Sequence, residues 1–315
     1  MGDVVHALPM VSDIACTFPN ARIDWVVEEG FADIPRLHPA VTRVLPIALR
    51  RWRRHPLSRR CWSELLAARS ALRETRYHTV IDAQGLLKSA VVAWSARGPV
   101  SGFAAGSARE PLAALLYSRR VVVDPDQHAV DRNRRLGAAA LDYALEGPED
   151  YGIGQRVRQL KAGPPFDEDG AVLLLTNASR ATKLWPDTHW SALEQALARR
   201  GMMSLLAWGS PAEYLATRER VGRMQAARLL PRATLAQVAA LSGRVALVVG
   251  LDTGLTHLAA AVGAPTVGIF CDYDPGLVGL RGSARVASLG GVGQVPAVEA
   301  VLAAVDRVLA PAGAA

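Results

Sequence analysis

Two short stretches combine small, hydroxyl-bearing and charged residues at spacings suited to holding an anion, and two others place a carboxylate where it could meet a ribose or act as a base. In VALVVGLDTGLTHLAAAVG, residues 245–263, an apolar run ends in Asp252-Thr253-Gly254 and a helical pattern starts at once. A strand that feeds directly into a helix presents free N–H groups and the positive end of a dipole, both of which favour phosphate. Gly254 would let the backbone come close to an anion, Thr253 offers a hydroxyl, and His257 lies one turn further on, within reach of the same anion. The alternative is a plain strand-to-helix turn with Asp252 or Thr253 as N-cap. In TNASRATKLWP, residues 176–186, Ser179, Thr182 and Lys183 stand between a strand and a proline-started helix, where a second phosphate contact would arise. A solvated loop lysine is the alternative there. In AWGSPAE, Glu213 follows a strand and a turn, a place from which carboxylates accept hydrogen bonds from ribose hydroxyls. In MGDVVHALP, Asp3 opens a helix, where the dipole keeps a carboxylate ionised and able to act as a base, or where it serves only as a cap.

The spelling of positive charge points the same way. Only Lys88, Lys161 and Lys183 are lysines among 36 basic residues, so a retained lysine marks a position where a compact ammonium is wanted. Two acidic strings, Asp167-Glu168-Asp169 and Asp272-Tyr273-Asp274, have the look of divalent-cation ligands. The first reads as a solvated turn and the second as a turn shaped by Pro275 and Gly276, so no metal and no cofactor is expected. LRRWRRHPLSRRCW gathers Arg50, Arg51, Arg53, Arg54, Arg59 and Arg60 around Trp52 and Trp62. Arginine suits bidentate phosphate recognition and tryptophan the membrane interface, so an anionic lipid head group is expected there rather than nucleic acid.

Strands alternating with helices must position these segments. ARIDWVVEE, HTVIDAQ, VSGF and RRVVVD read as strands in the first half, with CWSELLAARSALRETR as a helix. AVLLLTN, MSLLAWG, VALVVGL and TVGIF read as strands in the second half, separated by helices and closed by an amphipathic helix at VPAVEAVLAAVDRVLA. The pattern implies parallel α/β sheets. With 315 residues, two domains are expected: 1–160, a linker at 161–170 rich in Gly, Pro and acidic residues, and 171–315. MGDVVHALP has the form of a loop and helix that follow a first strand, yet no strand precedes it. Either the first domain lacks that strand or the start codon lies upstream.

Half of the residues are hydrophobic and 21% are charged, which excludes a disordered or low-complexity chain. Cys16, Cys61 and Cys271 lie far apart and form no CxxC, so neither a disulfide framework nor a zinc site is expected. The expected location is cytoplasmic, because neither a signal peptide nor a run long enough to span a bilayer is visible. A net charge of +7 suits a polyanionic partner.

The segments MGDVVHALP, LRRWRR, VIDAQGLLKS, AREPLAALLY, QHAVDRNR, TKLWP, WGSP, LDTGLTHLAAA and DPGLVG resemble, in order and over nearly the whole chain, the lipopolysaccharide heptosyltransferase I family of glycosyltransferase family 9. The resemblance implies a GT-B fold, two Rossmann-like parallel-sheet domains facing a central cleft. It implies inverting transfer of L-glycero-D-manno-heptose from ADP-heptose to the inner Kdo of Kdo2-lipid A, at the cytoplasmic face of the inner membrane. It casts Asp3 as general base and Ser179, Lys183, Glu213, Asp252, Thr253, Gly254 and His257 as donor-binding residues. Arg50, Arg51, Lys88, Arg109 and His128 would meet the acidic acceptor. Two departures stand out: the family's opening strand and serine-rich turn are missing, and Ala178 and Ser179 replace a pair of hydroxyls. A later heptosyltransferase would share Asp3, Lys183 and the Asp-Thr-Gly segment. A basic membrane- or nucleic-acid-binding module would need only the arginine-rich loop.

Overall fold

Strands buried on both faces read as unbroken apolar runs, and this rule shapes the larger sheet of the protein. The computed structural model describes all residues except 162, 164–168, 283–284 and 311–315. Most of the expected linker, including Asp167 and Glu168, lies outside the described residues. The chain divides into two compact units, His6–Gly152 on the one hand and Ile153–Ala315 with Met1–Val5 on the other. The break falls ahead of the expected linker because the helix Gly154–Gln159 packs on helices of the second unit, with Val157 buried.

The chain opens with α1 (Gly2–His6) and α2 (Leu8–Thr17). The first unit then holds two separate parallel sheets, β1 (Ile23–Glu28) with β2 (Val41–Ile47), and β3 (Val80–Asp82) with β4 (Val100–Phe103) and β5 (Arg119–Val121). Among the described residues no strand joins β1 to β3. Helices α3 (Arg59–Glu74), α4 (Leu87–Ser95) and α5 (Ala129–Leu141) pack around these sheets. An ion pair of 2.8 Å between Arg134 and Asp13, both nearly buried, ties α5 to α2.

The second unit holds six parallel strands in the order β11-β10-β9-β6-β7-β8. They are β6 (Val172–Leu175), β7 (Ser204–Leu206), β8 (Ala227–Leu229), β9 (Leu247–Leu251), β10 (Thr266–Phe270) and β11 (Val286–Gly290). Successive side chains alternate between faces. Val172, Leu174, Val249 and Leu251 enter one core with Trp185, Trp190 and Leu193, while Leu173, Leu175 and Val248 enter another with Val238 and Leu241. The chain runs from β6 outward to β8, then returns to lay β9 on the other side of β6. The carboxyl ends of β6 and β9 therefore flank the point where strand order reverses, the place where open α/β sheets bind ligands.

Candidate active site

The loop after β6 and the turn after β9 meet through their charged residues. Lys183, in the short turn Ala181–Lys183, pairs with the Asp252 carboxylate and donates to the Asp252 carbonyl at 3.1 Å. His257 Nε2 lies 3.3 Å from the other Asp252 oxygen. Burial alone would raise the Asp252 carboxyl, but hydrogen bonds from His257 and Lys183 outweigh it and hold the group below the usual carboxylate range. Lys183, Asp252 and His257 thus form one charge-ordered cluster, with an ammonium at its partly exposed end. His257 is buried, with its Nε2 beside Asp252.

Helix α6 (Gly254–Val262) starts beside this cluster. Thr253 is its N-cap residue, yet the Thr253 side chain caps none of its amides and instead lies 3.3 Å from the Thr256 hydroxyl. The helix start therefore lacks a side-chain cap, although the Thr256 amide bonds the Thr253 carbonyl at 3.1 Å. Gly254 has a further reason to be glycine: a Cβ there would fall 2.4 Å from Met1 Cβ and 2.8 Å from the Gly2 nitrogen. A Cβ on Gly2 would come within 3.9 Å of the His257 ring. The start of α1, and with it Asp3, is therefore built against the start of α6 in the same unit.

The other two strand ends on this edge contribute as well. After β7, Ser210 and Glu213 form a capping box at the helix Pro211–Val221, with Glu213 Oε2 accepting from the Gly209 and Ser210 amides at 2.7 and 3.1 Å. After β10, Asp272 accepts from the Thr182 hydroxyl at 2.9 Å and pairs with Arg180 at 3.4 Å, and the Tyr273 ring lies 5.9 Å from Lys183 Nζ. Asp272 thereby anchors the turn that carries Lys183, a role hidden by its reading as a simple loop. Asp274 accepts from the Gly276 amide at 2.8 Å as an N-cap. Ser179 is exposed in the loop after β6. Among the described residues no group of three or more His, Cys, Asp or Glu is placed to hold a metal ion.

The expected acceptor residues all fall in the first unit. Lys88 is exposed in the first turn of α4, and Arg109 is exposed next to Glu110, whose carboxylate accepts from the Leu87 amide at 2.6 Å. Arg50 stands over the Phe31 ring at 5.2 Å. Arg51 is engaged with Glu29 at 3.1 Å and Glu64 at 2.8 Å, and those hydrogen bonds raise its guanidinium above its usual value. His128 is buried, caps α5 by accepting from the Val130 amide at 3.2 Å, and meets the His6 ring edge-on. A residue the sequence did not single out organises this region. Buried Asp82 accepts from Tyr117 at 2.7 Å, Ser89 at 2.8 Å and the Gln84 amide at 2.9 Å, fixing the loop that leads to Lys88.

Comparison with known proteins supplies the family context. The glycosyltransferase family 9 (heptosyltransferase) model matches residues 65–301. Lipopolysaccharide heptosyltransferase 1 of Pseudomonas aeruginosa is 43% identical over 293 residues, covering 91% of this chain and 80% of that protein. An Escherichia coli heptosyltransferase solved with ADP superposes with a TM-score of 0.90 at 38% identity, covering 98% of this chain and 97% of the other. The same enzyme with ADP-2-deoxy-2-fluoro heptose gives 0.86 at 36% identity, covering 98% and 96%.

Proposed function

The chain belongs to glycosyltransferase family 9, the heptosyltransferases, and has their α/β fold with parallel sheets of the GT-B type; from that premise we propose that it transfers L-glycero-D-manno-heptose from ADP-heptose to the inner Kdo of Kdo2-lipid A. It is a glycosyltransferase of lipopolysaccharide inner-core synthesis. The observation that carries the finer reading is the Lys183–Asp252–His257 cluster at the strand-order reversal, with the start of α1 packed against α6. The names of the relatives above favour the first transferase over a later one, and a bare binding module would leave this cluster without a purpose.

In the proposed reaction Asp3 takes the proton of the acceptor hydroxyl as its oxygen attacks the anomeric carbon from the face opposite the diphosphate. The bond to ADP breaks as the new one forms, so the anomeric configuration inverts. The Lys183 ammonium and the leading amides of α6, aided by Thr253 and Ser179, offset the charge that develops on the departing diphosphate. Asp252 and His257 hold Lys183 in place and border the sugar. Glu213 has one oxygen engaged in its capping box, and the ribose hydroxyls would bind the other, Oε1. Neutralisation by Lys183 makes the reaction metal-independent. Lys88, Arg109, Arg50, Arg51 and His128 are assigned to the acidic acceptor, and the enzyme to the cytoplasmic face of the inner membrane as a peripheral protein.

The direct test is transfer from ADP-heptose to Kdo2-lipid A in the presence and absence of EDTA, with the product's anomeric configuration read by NMR. An inverted product formed equally with and without chelator is expected. ADP binding with no heptosylated product would overturn the acceptor assignment, and activity lost to EDTA and restored by Mg²⁺ would overturn the metal-free one.

A further inference from the structure

In a water-soluble surface helix the large apolar side chains face inward and the small ones are tolerated outside. Two neighbouring elements of the first unit reverse this order. Helix α4 and the 3₁₀ turn Pro111–Leu116 bury their alanines against each other, with Ala90, Ala93, Ala113 and Ala114 all entering one small core beside Tyr117. Most of their large residues point out, with only Val92 and Leu116 packed inward: Leu87, Val91 and Trp94 of α4 are 43%, 51% and 65% exposed, and Leu112 and Leu115 of the turn are 63% and 70% exposed. The three α4 residues recur at i, i+4 and i+7, which places them in one narrow stripe along the helix. Leu112 and Leu115 are three apart in a 3₁₀ turn, where such residues eclipse one another. The two elements pack together, so the stripes form a single apolar face. Scattered exposed apolar residues are ordinary, whereas a contiguous face of this kind marks an interaction site.

The charge around the face says what covers it. Neither α4 nor the turn contains an acidic residue. Between Arg50 and Arg76 there are nine arginines against two glutamates, Glu64 and Glu74, both already paired with arginine. Helix α3, which packs beside α4, adds Trp62 at 57% and Leu66 at 59% exposure. Tryptophan and leucine set in an arginine-rich, acid-poor border match the interface of an anionic bilayer. A second copy of the chain would bring the same cationic border against itself. Among the described residues no helix is long and apolar enough to cross a membrane, which fits a face that lies on the bilayer rather than in it.

We propose that the face formed by α4 and Pro111–Leu116 docks the enzyme on an anionic lipid surface. In its bearing on catalysis the proposal rests on the acceptor reading above. Lys88 lies on α4 itself and Arg109 just before the turn, so an acceptor whose acyl chains are held in the bilayer would present its acidic sugars beside these two cations. The arginine-rich loop, which the sequence suggested as the lipid contact, then supplies the cationic border and α4 with the turn supplies the apolar anchor.

Flotation with acceptor-free vesicles tests this, comparing phosphatidylethanolamine–phosphatidylglycerol vesicles with phosphatidylcholine vesicles. The wild-type chain is expected to float with the anionic vesicles and to be released by salt. A Trp94→Ser, Leu112→Ser, Leu115→Ser variant is expected to lose at least tenfold in partitioning with an unchanged melting curve. Its turnover on an acceptor stripped of acyl chains is expected to match wild type, while its KM for vesicle-embedded acceptor rises. Equal flotation of variant and wild type, or no flotation of wild type, would overturn the proposal. So would a wild-type dimer that the variant dissociates, since that would make a second copy the occupant. Failure of both proteins to act on the stripped acceptor would overturn the transferase reading instead, and the flotation result would stand independently of it.

Discussion

The two units solve the same problem, holding charged loops at strand ends, with different means. In the second unit a continuous sheet of six strands buries both faces, and four neighbouring strand ends supply Lys183, Glu213, Asp252 and Asp272. Backbone ladders set the strand ends there, and side-chain bonds such as Thr182–Asp272 hold the loops between them. The first unit has its parallel strands in two separate sheets. Its loops are fixed by side chains: Asp82 with Tyr117 and Ser89, Arg134 with Asp13, His38 with Ser12. The difference teaches that the strand ends carrying Lys183 and Asp252 are set by a continuous sheet, whereas those of the first unit depend more on individual buried hydrogen bonds. Substitutions should therefore separate cleanly into those that stop chemistry without loosening the fold and those that loosen the first unit.

The largest effect is expected from Asp3→Asn, which keeps the shape and removes the base. Transfer should fall by about 10²–10⁴-fold while ADP affinity, measured by calorimetry, stays the same. A parallel loss of ADP affinity would move Asp3 into the donor site. Next comes Lys183→Ala, expected to lower kcat/KM by about 10²-fold, as when one charge-stabilising donor is removed from an acyl- or phosphoryl-type site. Lys183→Arg should not restore it, because a planar guanidinium is a poor replacement for an ammonium held by both the carboxylate and the carbonyl of Asp252. Asp272→Asn should raise KM for the donor by a smaller factor, since it loosens the turn rather than removing the charge.

These side chains were legible in the sequence to unequal degrees, and the reasons are physical. β6, β9 and β10 announce themselves because burial on both faces demands unbroken apolar runs, and the same fact puts Asp252 and Lys183 at strand ends. β2 was not read because Pro46 interrupts it and its burial is only partial, and the edge strands β8 and β11 carry the same weak signal. Asp272 was read as part of a turn; Asp274 does form that turn, but the bond from Thr182 to Asp272 spans 90 residues and no local pattern encodes it. Glu213 illustrates the opposite case: Ser210-x-x-Glu213 is a capping signature, so its local duty is legible in the sequence. The size reversal on α4 was invisible because a stripe of Leu, Val and Trp reads as a core face until the neighbours are known.

Acid should expose the dependence of the first unit on its side chains. His38 is buried, accepts from the Ala40 amide at 3.2 Å through Nδ1 and meets the Ser12 hydroxyl at 2.9 Å through Nε2, an arrangement of the neutral ring. Burial pulls its pKa down from 6.5 to about 4, against a smaller opposing pull from Asp150. The unfolded chain therefore holds an extra proton between these values, and stability is full above about pH 6.5 and declines as pH falls toward 4, by about 3 kcal/mol in all. Hydrogen exchange of first-unit amides should report this decline, with second-unit amides as the internal reference. His38→Gln should flatten the slope in that window. A decline of equal size in both units would mean that His38 is not its source.

The smallest effect is the most discriminating for how the loop from Gln84 to Lys88 is held. Burial and the neighbouring Asp82 push the Tyr117 hydroxyl far above its ordinary value, so it stays protonated and donates to the carboxylate at any working pH. Tyr117→Phe removes that donor and leaves Asp82 with Ser89 and the Gln84 amide, at a cost of about 1–2 kcal/mol. The ring itself must stay, because β4 passes so close that a Cβ on Gly102 would lie 2.3 Å from it. The loss should appear as lower stability of the first unit and a higher KM for the acceptor, with donor KM unchanged, because the loop from Gln84 leads into Lys88. An unchanged acceptor KM at reduced stability would mean that the backbone holds this loop on its own, and the contrast between the two units would then reduce to sheet continuity alone.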